Sequence, residues 1–370
     1  MKFSISRDAL IKPLNLVAGV VERRQTLPIL ANVQLVLDGQ QLSLTGTDLE
    51  VELIGRVDLG EAAGSMEPGE ITVPAKKLVD ICKALPDGAV IDVIQDEQKL
   101  IIKSGRSRFQ LSTLPASDFP SVEQGHGGQR FTLKQGDLKR LIERTSFAMA
   151  QQDVRYYLNG MLFEVSNGML RVVATDGHRL AMASLAGDIA VSNTAQVILP
   201  RKGVIELGRL LINENEDAEL FVGSNHIRVV TPEFTFTSKL IDGKFPDYER
   251  VLPRGGTKVV LGSRADLKQA FARTAILSNE KYRGIRLLLT SGSLQIVANN
   301  PEQEEAEEIV AVDYEGDSLE IGFNVSYLLD VLSAINSESV KFTMSDSNSS
   351  ALIEEAENSG SQYVVMPMRL

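Results

Sequence analysis

Asp176 and His178, within Thr175-Asp176-Gly177-His178-Arg179-Leu180, are the residues of this chain whose types and spacing best imitate an acid–base pair. A carboxylate that orients an imidazole makes a general base, but the base needs a Ser or Cys nucleophile beside it, and this segment implies none. The run Glu302-Gln303-Glu304-Glu305-Ala306-Glu307-Glu308 offers carboxylates of the kind a metal-dependent nuclease or phosphoesterase gathers at strand ends. The same run reads equally as a solvated strand end or turn. Gly125-His126-Gly127-Gly128 follows no predicted strand, so it is a flexible joint and not a nucleotide cradle; His226 falls in a predicted hairpin. No phosphate-binding loop, nucleophile elbow, zinc-protease helix or paired cysteines occur. The chain reads as non-catalytic, with no catalytic residues, no metal site and no cofactor.

The elements around these residues recur. Lys2–Gly19, the segment from Arg130 and the segment from Lys258 each read as a strand, a turn with Asp as cap or first-turn acid, and a helix of about three turns. Leu10, Leu138 and Leu267 fall at matching positions, offset by 128 and 129. Alternating apolar residues broken by Asp38-Gly39, Asn167-Gly168 and Ser291-Gly292 then make a β-hairpin in each copy. Leu30 and Leu158, Leu42 and Leu170, and Asp48 and Asp176 are all 128 apart. A second helix starts near Val73, Leu199 and Gly322, with Pro74 and Pro200 at the first turn, where a helix tolerates proline. Closing strands begin at Arg108, Phe234 and Tyr363. The chain is therefore α+β, with three repeats at 1–125, 126–253 and 254–370. Linkers at 115–128 and 241–256 each carry Phe-Pro, at Phe119-Pro120 and Phe245-Pro246.

Composition bounds the function. The 370 residues are 43% hydrophobic and 24% charged, as a globular protein is. No signal-peptide-like N-terminus and no long apolar run occur, and Cys82 stands alone, so a cytoplasmic protein with no membrane association is expected. The net charge of −11 argues against nucleic acid until its distribution is read. Helical segments 7–20, 75–84, 134–145, 200–211, 263–273 and 324–335 carry +1, +2, +2, +2, +2 and −1. They total +8 and leave −19 to the rest. If the helices share a surface, that surface is basic within an acidic molecule and suits sequence-blind contact with phosphates; ordinary solvated helix faces would have the same composition.

Two clusters look complementary. Lys103, Arg106 and Arg108 flank Phe109 and Leu111 in the first copy, and the Glu302–Glu308 run lies in the third. Such ends favour head-to-tail contact, through which two chains can close as a ring. The C-terminal residues, with Met366-Pro367-Met368, could form a closing strand or line an adaptable groove.

The segments 104–115, 152–163, 174–180, 200–207, 270–280, 299–309 and 363–370 resemble the beta subunit family of bacterial DNA polymerase III, the sliding clamps, in its enterobacterial and pseudomonad members. The resemblance covers the whole chain. It implies three clamp-fold domains, with helices lining a ring and antiparallel sheets outside, and a homodimer encircling double-stranded DNA without sequence preference. It implies as partners the replicative DNA polymerase, a clamp loader that supplies the ATP, and other polymerases and repair proteins that insert a short peptide motif. Arg24, Gln152, Tyr156 and Tyr157 would touch DNA. A peptide groove would use Leu158, Thr175, Gly177, His178, Arg179, Leu180, Pro246, Arg250 and Val251. Asn324, Tyr327, Ser350, Val364, Val365, Met366, Pro367, Met368 and Arg369 would complete it, and Asn348 stands at a rim position that the family often fills with an apolar side chain. At the dimer junction Phe109 and Leu111 would meet Ile276 and Leu277, while Lys77, Arg106 and Arg108 would face Glu302, Glu304 and Glu308. The alternative to a clamp is a protein-binding scaffold with no DNA role.

Overall fold

The computed structural model describes residues 1–21, 27–60, 65–122, 128–191, 193–357 and 359–369. Arg24 and His126 lie outside the described residues. Six α-helices occur among those described: α1 Arg7–Ala18, α2 Ala75–Ala84, α3 Gln135–Thr145, α4 Arg201–Leu210, α5 Arg264–Thr274 and α6 Val325–Ala334. Of the two expected roles for the aspartates, cap or first-turn acid, the structure shows the second. Ser6 and Ser263 are the N-caps of α1 and α5, accepting from the backbone N–H of Ala9 and Asp266, while Asp8 and Asp266 sit in the first turns. Pro74 ends a strand and caps α2, which begins one residue later.

The chain divides into two compact units, Met1–Gly136 with Ile205–Leu240, and Asp137–Val204 with Ile241–Leu370. In the first, an eight-stranded antiparallel sheet runs Gly69–Pro74, Asn32–Asp38, Gln41–Thr47, Val51–Asp58, Phe234–Lys239, His226–Val230, Asp217–Val222 and Gln129–Lys134. A four-stranded sheet of Lys2–Ser6, Val90–Asp96, Lys99–Ser104 and Ser107–Ser112 accompanies it. In the second unit the eight-stranded order is Ala195–Pro200, Gly160–Ser166, Met169–Thr175, Arg179–Ala186, Ser361–Val365, Ala351–Glu355, Ser339–Met344 and Lys258–Ser263. Its four-stranded sheet runs Glu305–Ala311, Ser293–Asn299, Gly284–Thr290 and Leu319–Asn324.

The units cut across the repeats because strands pair across repeat junctions. Val51–Asp58 pairs with Phe234–Lys239, setting Leu53 opposite Phe236, and Arg179–Ala186 pairs with Ser361–Val365, setting Ala181 opposite Tyr363. The expected hairpins form at all three turns, where Gly39, Gly168 and Gly292 hold positive φ. Each unit has an ordinary apolar core. In α1, Leu10, Leu14 and Val17 are buried, at about 1.5–3 kcal/mol of hydrophobic stabilisation each. In the second unit Leu162, Val173, Leu180, Met182, Ile198, Phe245, Tyr248 and Val364 form one buried cluster.

Candidate functional site

The suspected acid–base pair is a turn. Thr175 Oγ1 donates to the carbonyl of Arg179 at 2.6 Å and accepts from the N–H of Gly177 at 3.1 Å. Asp176 Oδ1 accepts from the backbone N–H of His178 and Arg179, at 2.9 and 3.0 Å, and Asp176 Oδ2 accepts from Arg179 Nε at 3.1 Å. The carboxylate is thus used up in shaping the turn, and His178 is exposed. Gly177 holds φ +88, and a Cβ there would lie 2.9 Å from an Arg155 guanidinium nitrogen, so both backbone and space call for glycine. The carbonyl of His178 accepts from Met366 N–H at 2.9 Å, which ties the C-terminal segment to the turn.

Beside this turn opens a cavity of about 170 Å³ whose walls are chiefly apolar. Leu158, Thr175, Gly177, Arg179 and Leu180 come from the central repeat, Pro246 and Val251 from the second linker, and Val364 and Met366 from the C-terminal segment. These are nine of the groove residues expected from sequence. Arg155, Tyr157 and Tyr248 complete the wall and are not among the expected groove residues; the resemblance gives Tyr157 to DNA. Leu180, Val364 and Tyr248 also belong to the buried cluster, so the cavity floor is the core itself. Tyr248 is fixed from behind: its hydroxyl donates to Glu164 Oε1 at 2.9 Å and accepts from Arg171 Nη1 at 2.7 Å. A sequence signal for it existed, two residues beyond Pro246 in the repeated Phe-Pro linker.

The other expected groove residues lie elsewhere. Arg250 and Ser350 line an adjoining polar cleft of about 570 Å³, with Val251 shared between the two. Val365 is fully buried. Asn324 caps α6, accepting from Ser326 N–H at 2.9 Å, and Tyr327 stacks 4.5 Å from the Arg179 guanidinium. The segment holding Pro367 and Arg369 is fastened by Met368, whose N–H donates to the Gly322 carbonyl at 2.8 Å. Asn348 is exposed, and its N–H donates to Asp346.

The loop before Leu158 is closed on itself. Asn159 Oδ1 accepts from Asp153 N–H and Asn159 Nδ2 donates to the Asp153 carbonyl, both at 2.9 Å. Arg155 holds Asp153 with two hydrogen bonds of 3.0 and 2.8 Å, and this hydrogen bonding draws the Asp153 carboxyl down to about 2. The tip presents Gln152, at φ +53, and Tyr156, whose ring meets Tyr157 edge-on at 5.8 Å.

The four-stranded sheets each end in an open edge. Five other edge strands carry a backbone bridge at one point, Lys2 to Glu67, Thr72 to Leu114, Ile198 to Ile241, Leu261 to Asp313 and Gly322 to Met368. Among the described residues Ser107–Ser112 and Glu305–Ala311 carry none, nor does Gln129–Lys134 at the end of an eight-stranded sheet, and an unpaired strand edge is a template for pairing with another chain. On the first edge Arg108 is exposed, Phe109 half-buried and Leu111 buried, with Arg106 in the turn before it. Near the second, Glu302 and Glu304 are exposed, while Glu308 already pairs with Arg273 of α5. Ile276, beside half-buried Leu277 after α5, is 75% exposed.

The helix cations are unevenly paired. Arg7, Arg140, Arg144, Arg209 and Arg273 have carboxylate partners, as does Lys139 of α3, whereas Lys76, Lys77 and Lys83 of α2 are exposed with no ion-pair partner among the described residues. Cys82 of that helix is buried, which pushes its thiol up to about 11. Among the described residues no group of three or more His, Cys, Asp or Glu is placed to hold a metal ion. No described helix is long and apolar enough to cross a membrane.

Comparison with known proteins gives one family along the whole chain. Residues 1–123, 132–247 and 249–369 match the N-terminal, central and C-terminal domains of the DNA polymerase III beta subunit. The chain is 68% identical to the beta sliding clamp of Pseudomonas aeruginosa over 370 residues, and 54% identical to that of Escherichia coli K12 over 371, covering 100% of each sequence. A crystal structure of the Pseudomonas aeruginosa sliding clamp bound to griselimycin superposes with a TM-score of 0.97 at 68% identity, covering 100% of both chains.

Proposed function

The chain belongs to the DNA polymerase III beta subunit family, the beta sliding clamps, and from that premise we propose that two copies close head to tail around duplex DNA. It has three clamp domains and is a non-catalytic subunit. The repeat limits we assign are 1–125, 126–253 and 254–370, and we place the protein in the cytoplasm.

The observation that carries the ring is that each four-stranded sheet has one edge without a bridge among the described residues, Ser107–Ser112 in one and Glu305–Ala311 in the other. Their charges are opposite, so the edge of one chain is attracted to the other edge of its partner and two like edges repel. Phe109 and Leu111 would pack on Ile276 and Leu277 of the partner subunit. Lys77, Arg106 and Arg108 would face carboxylates at 302, 304 and 308, the last shared with Arg273. Inside the ring, helix lysines such as those of α2, Arg24, and the tip formed by Gln152, Tyr156 and Tyr157 would meet phosphates without reading sequence. The loop that carries Tyr157 would then serve both surfaces.

The apolar cavity at the second repeat junction would receive the short peptide of the replicative polymerase, the clamp loader, and other polymerases and repair proteins. Its size suits one or two aliphatic anchors, and Arg250 and Ser350 would receive the peptide's polar flank. Griselimycin, bound by the Pseudomonas aeruginosa clamp, would enter the same groove. The decisive experiment loads the protein onto nicked circular DNA with a clamp loader, then cuts the circle. Retention on the circle and release on linearisation are expected. Equal retention on linear DNA would replace the clamp with a DNA-binding scaffold, and no retention on either would leave a scaffold without a DNA role.

A further inference from the structure

The sixth helix stands apart from the other five, because its single charged residue is an acid, Asp330. Its carboxylate pairs with Arg179 Nη1, although Asp330 itself is not part of the cavity wall. Arg179 is 12% exposed at its side chain, and its guanidinium is occupied on every side. Nε donates to Asp176, Nη2 donates to the Phe147 carbonyl at 2.8 Å, and the rings of Tyr327 and Phe147 stack at 4.5 and 5.4 Å. The planar head is therefore clamped between the turn of the central repeat and α6 of the third.

We propose that Asp330 is a positioning residue for the peptide groove, acting through Arg179. The proposal rests on the groove reading above and deepens it. A guanidinium this enclosed needs each donor satisfied, since an unmatched buried donor loses its hydration without replacement. Remove the Asp330 carboxylate, and the Nη1 donor must turn toward Asp176 or toward solvent through the groove. Either motion shifts the Arg179–Leu180 wall that an apolar anchor contacts. The acid on α6 thus sets the groove from outside it, which also explains why the one negatively charged helix segment carries its charge at this position.

The test measures griselimycin affinity by calorimetry on the whole chain and on Asp330→Asn, Asp330→Glu, Arg179→Met and the Arg179→Met/Asp330→Asn double variant. Asp330→Asn, which keeps an acceptor but loses the charge, should weaken binding by about three- to tenfold, and Asp330→Glu should recover most of it. With Arg179→Met in place, Asp330→Asn should cost nothing further, because its effect runs through the missing guanidinium. Unchanged affinity in Asp330→Asn, or losses that simply add in the double variant, would overturn the proposal while leaving the groove intact. Failure of the unaltered chain to bind griselimycin would overturn the groove assignment and this inference together.

Discussion

The two repeat junctions are built on the same turn and end in different surfaces. At the first, Thr47 Oγ1 donates to the Val51 carbonyl and accepts from Leu49 N–H, both at 3.0 Å, while Asp48 Oδ1 accepts from the N–H of Glu50 and Val51 at 2.9 and 2.7 Å. Thr175 and Asp176 make the same four bonds at the second. Leu49 and Gly177 both hold positive φ, at 77 and 88. The side chains beyond the shared backbone separate the two. Where the second junction has Leu180 on its cavity wall, the first has Glu52, buried to 8% exposure and accepting from the linker N–H of Val122 at 3.0 Å. The corresponding position is an apolar cavity wall at one junction and a fastened carboxylate at the other. A repeated turn therefore specifies where strands cross between repeats, and the side chains beyond it decide what lines that crossing.

The largest expected effect comes from giving the second turn the residue of the first. Gly177→Leu forces a branched side chain into a positive-φ position and displaces Arg155. The strain, about 1–3 kcal/mol, falls on stability, and because the displaced Arg155 is part of the cavity wall, griselimycin affinity should fall by about tenfold, read by calorimetry. Full affinity in this variant would show that the glycine does not distinguish the two junctions. A smaller loss, about two- to fivefold, is expected for Tyr248→Phe, which removes the hydroxyl between Glu164 and Arg171 and loosens the linker wall. An unshifted affinity would mean the linker is held by packing alone.

The smallest effect concerns stability at the first junction. Burial raises the Glu52 carboxyl above its ordinary range, against the opposing hydrogen bond from Val122. A raised folded-state value means that the contribution of Glu52 is fully present below the unfolded pKa and is lost as pH rises through the folded one. Glu52→Gln should therefore raise the melting temperature slightly at neutral pH, with the gain disappearing toward pH 4. An identical gain at both pH values would exclude the charge as its origin.

Much of this was legible in the chain. The 128-residue offset between Asp48 and Asp176 marked equivalent turns, and the paired Gly turns marked hairpins, because both depend on hydrogen bonds or φ values within a few residues. Nine cavity residues were identified through family motifs. Tyr248 and Arg155 were not, since neither stands out locally and each acquires its place from partners outside its own turn, Glu164 and Arg171 for one and the Gly177 turn for the other. The basic count of the helices was visible as well, but not which cations meet carboxylates, as Arg7, Arg140, Arg144, Arg209 and Arg273 do, and that the α2 lysines have no ion-pair partner among the described residues.

By itself, then, the sequence determined the three repeats, the order of their elements and the capped turns, all set by short-range periodicity and local hydrogen bonding. Only the tertiary structure decided which strand edges stay uncovered, which junction forms a cavity, and that Asp330 pairs with an arginine of the cavity wall. Those outcomes depend on pairings between distant residues, such as Arg179 with Asp330 or Glu52 with Val122, and nothing in the spacing of one chain segment encodes what will be packed against it.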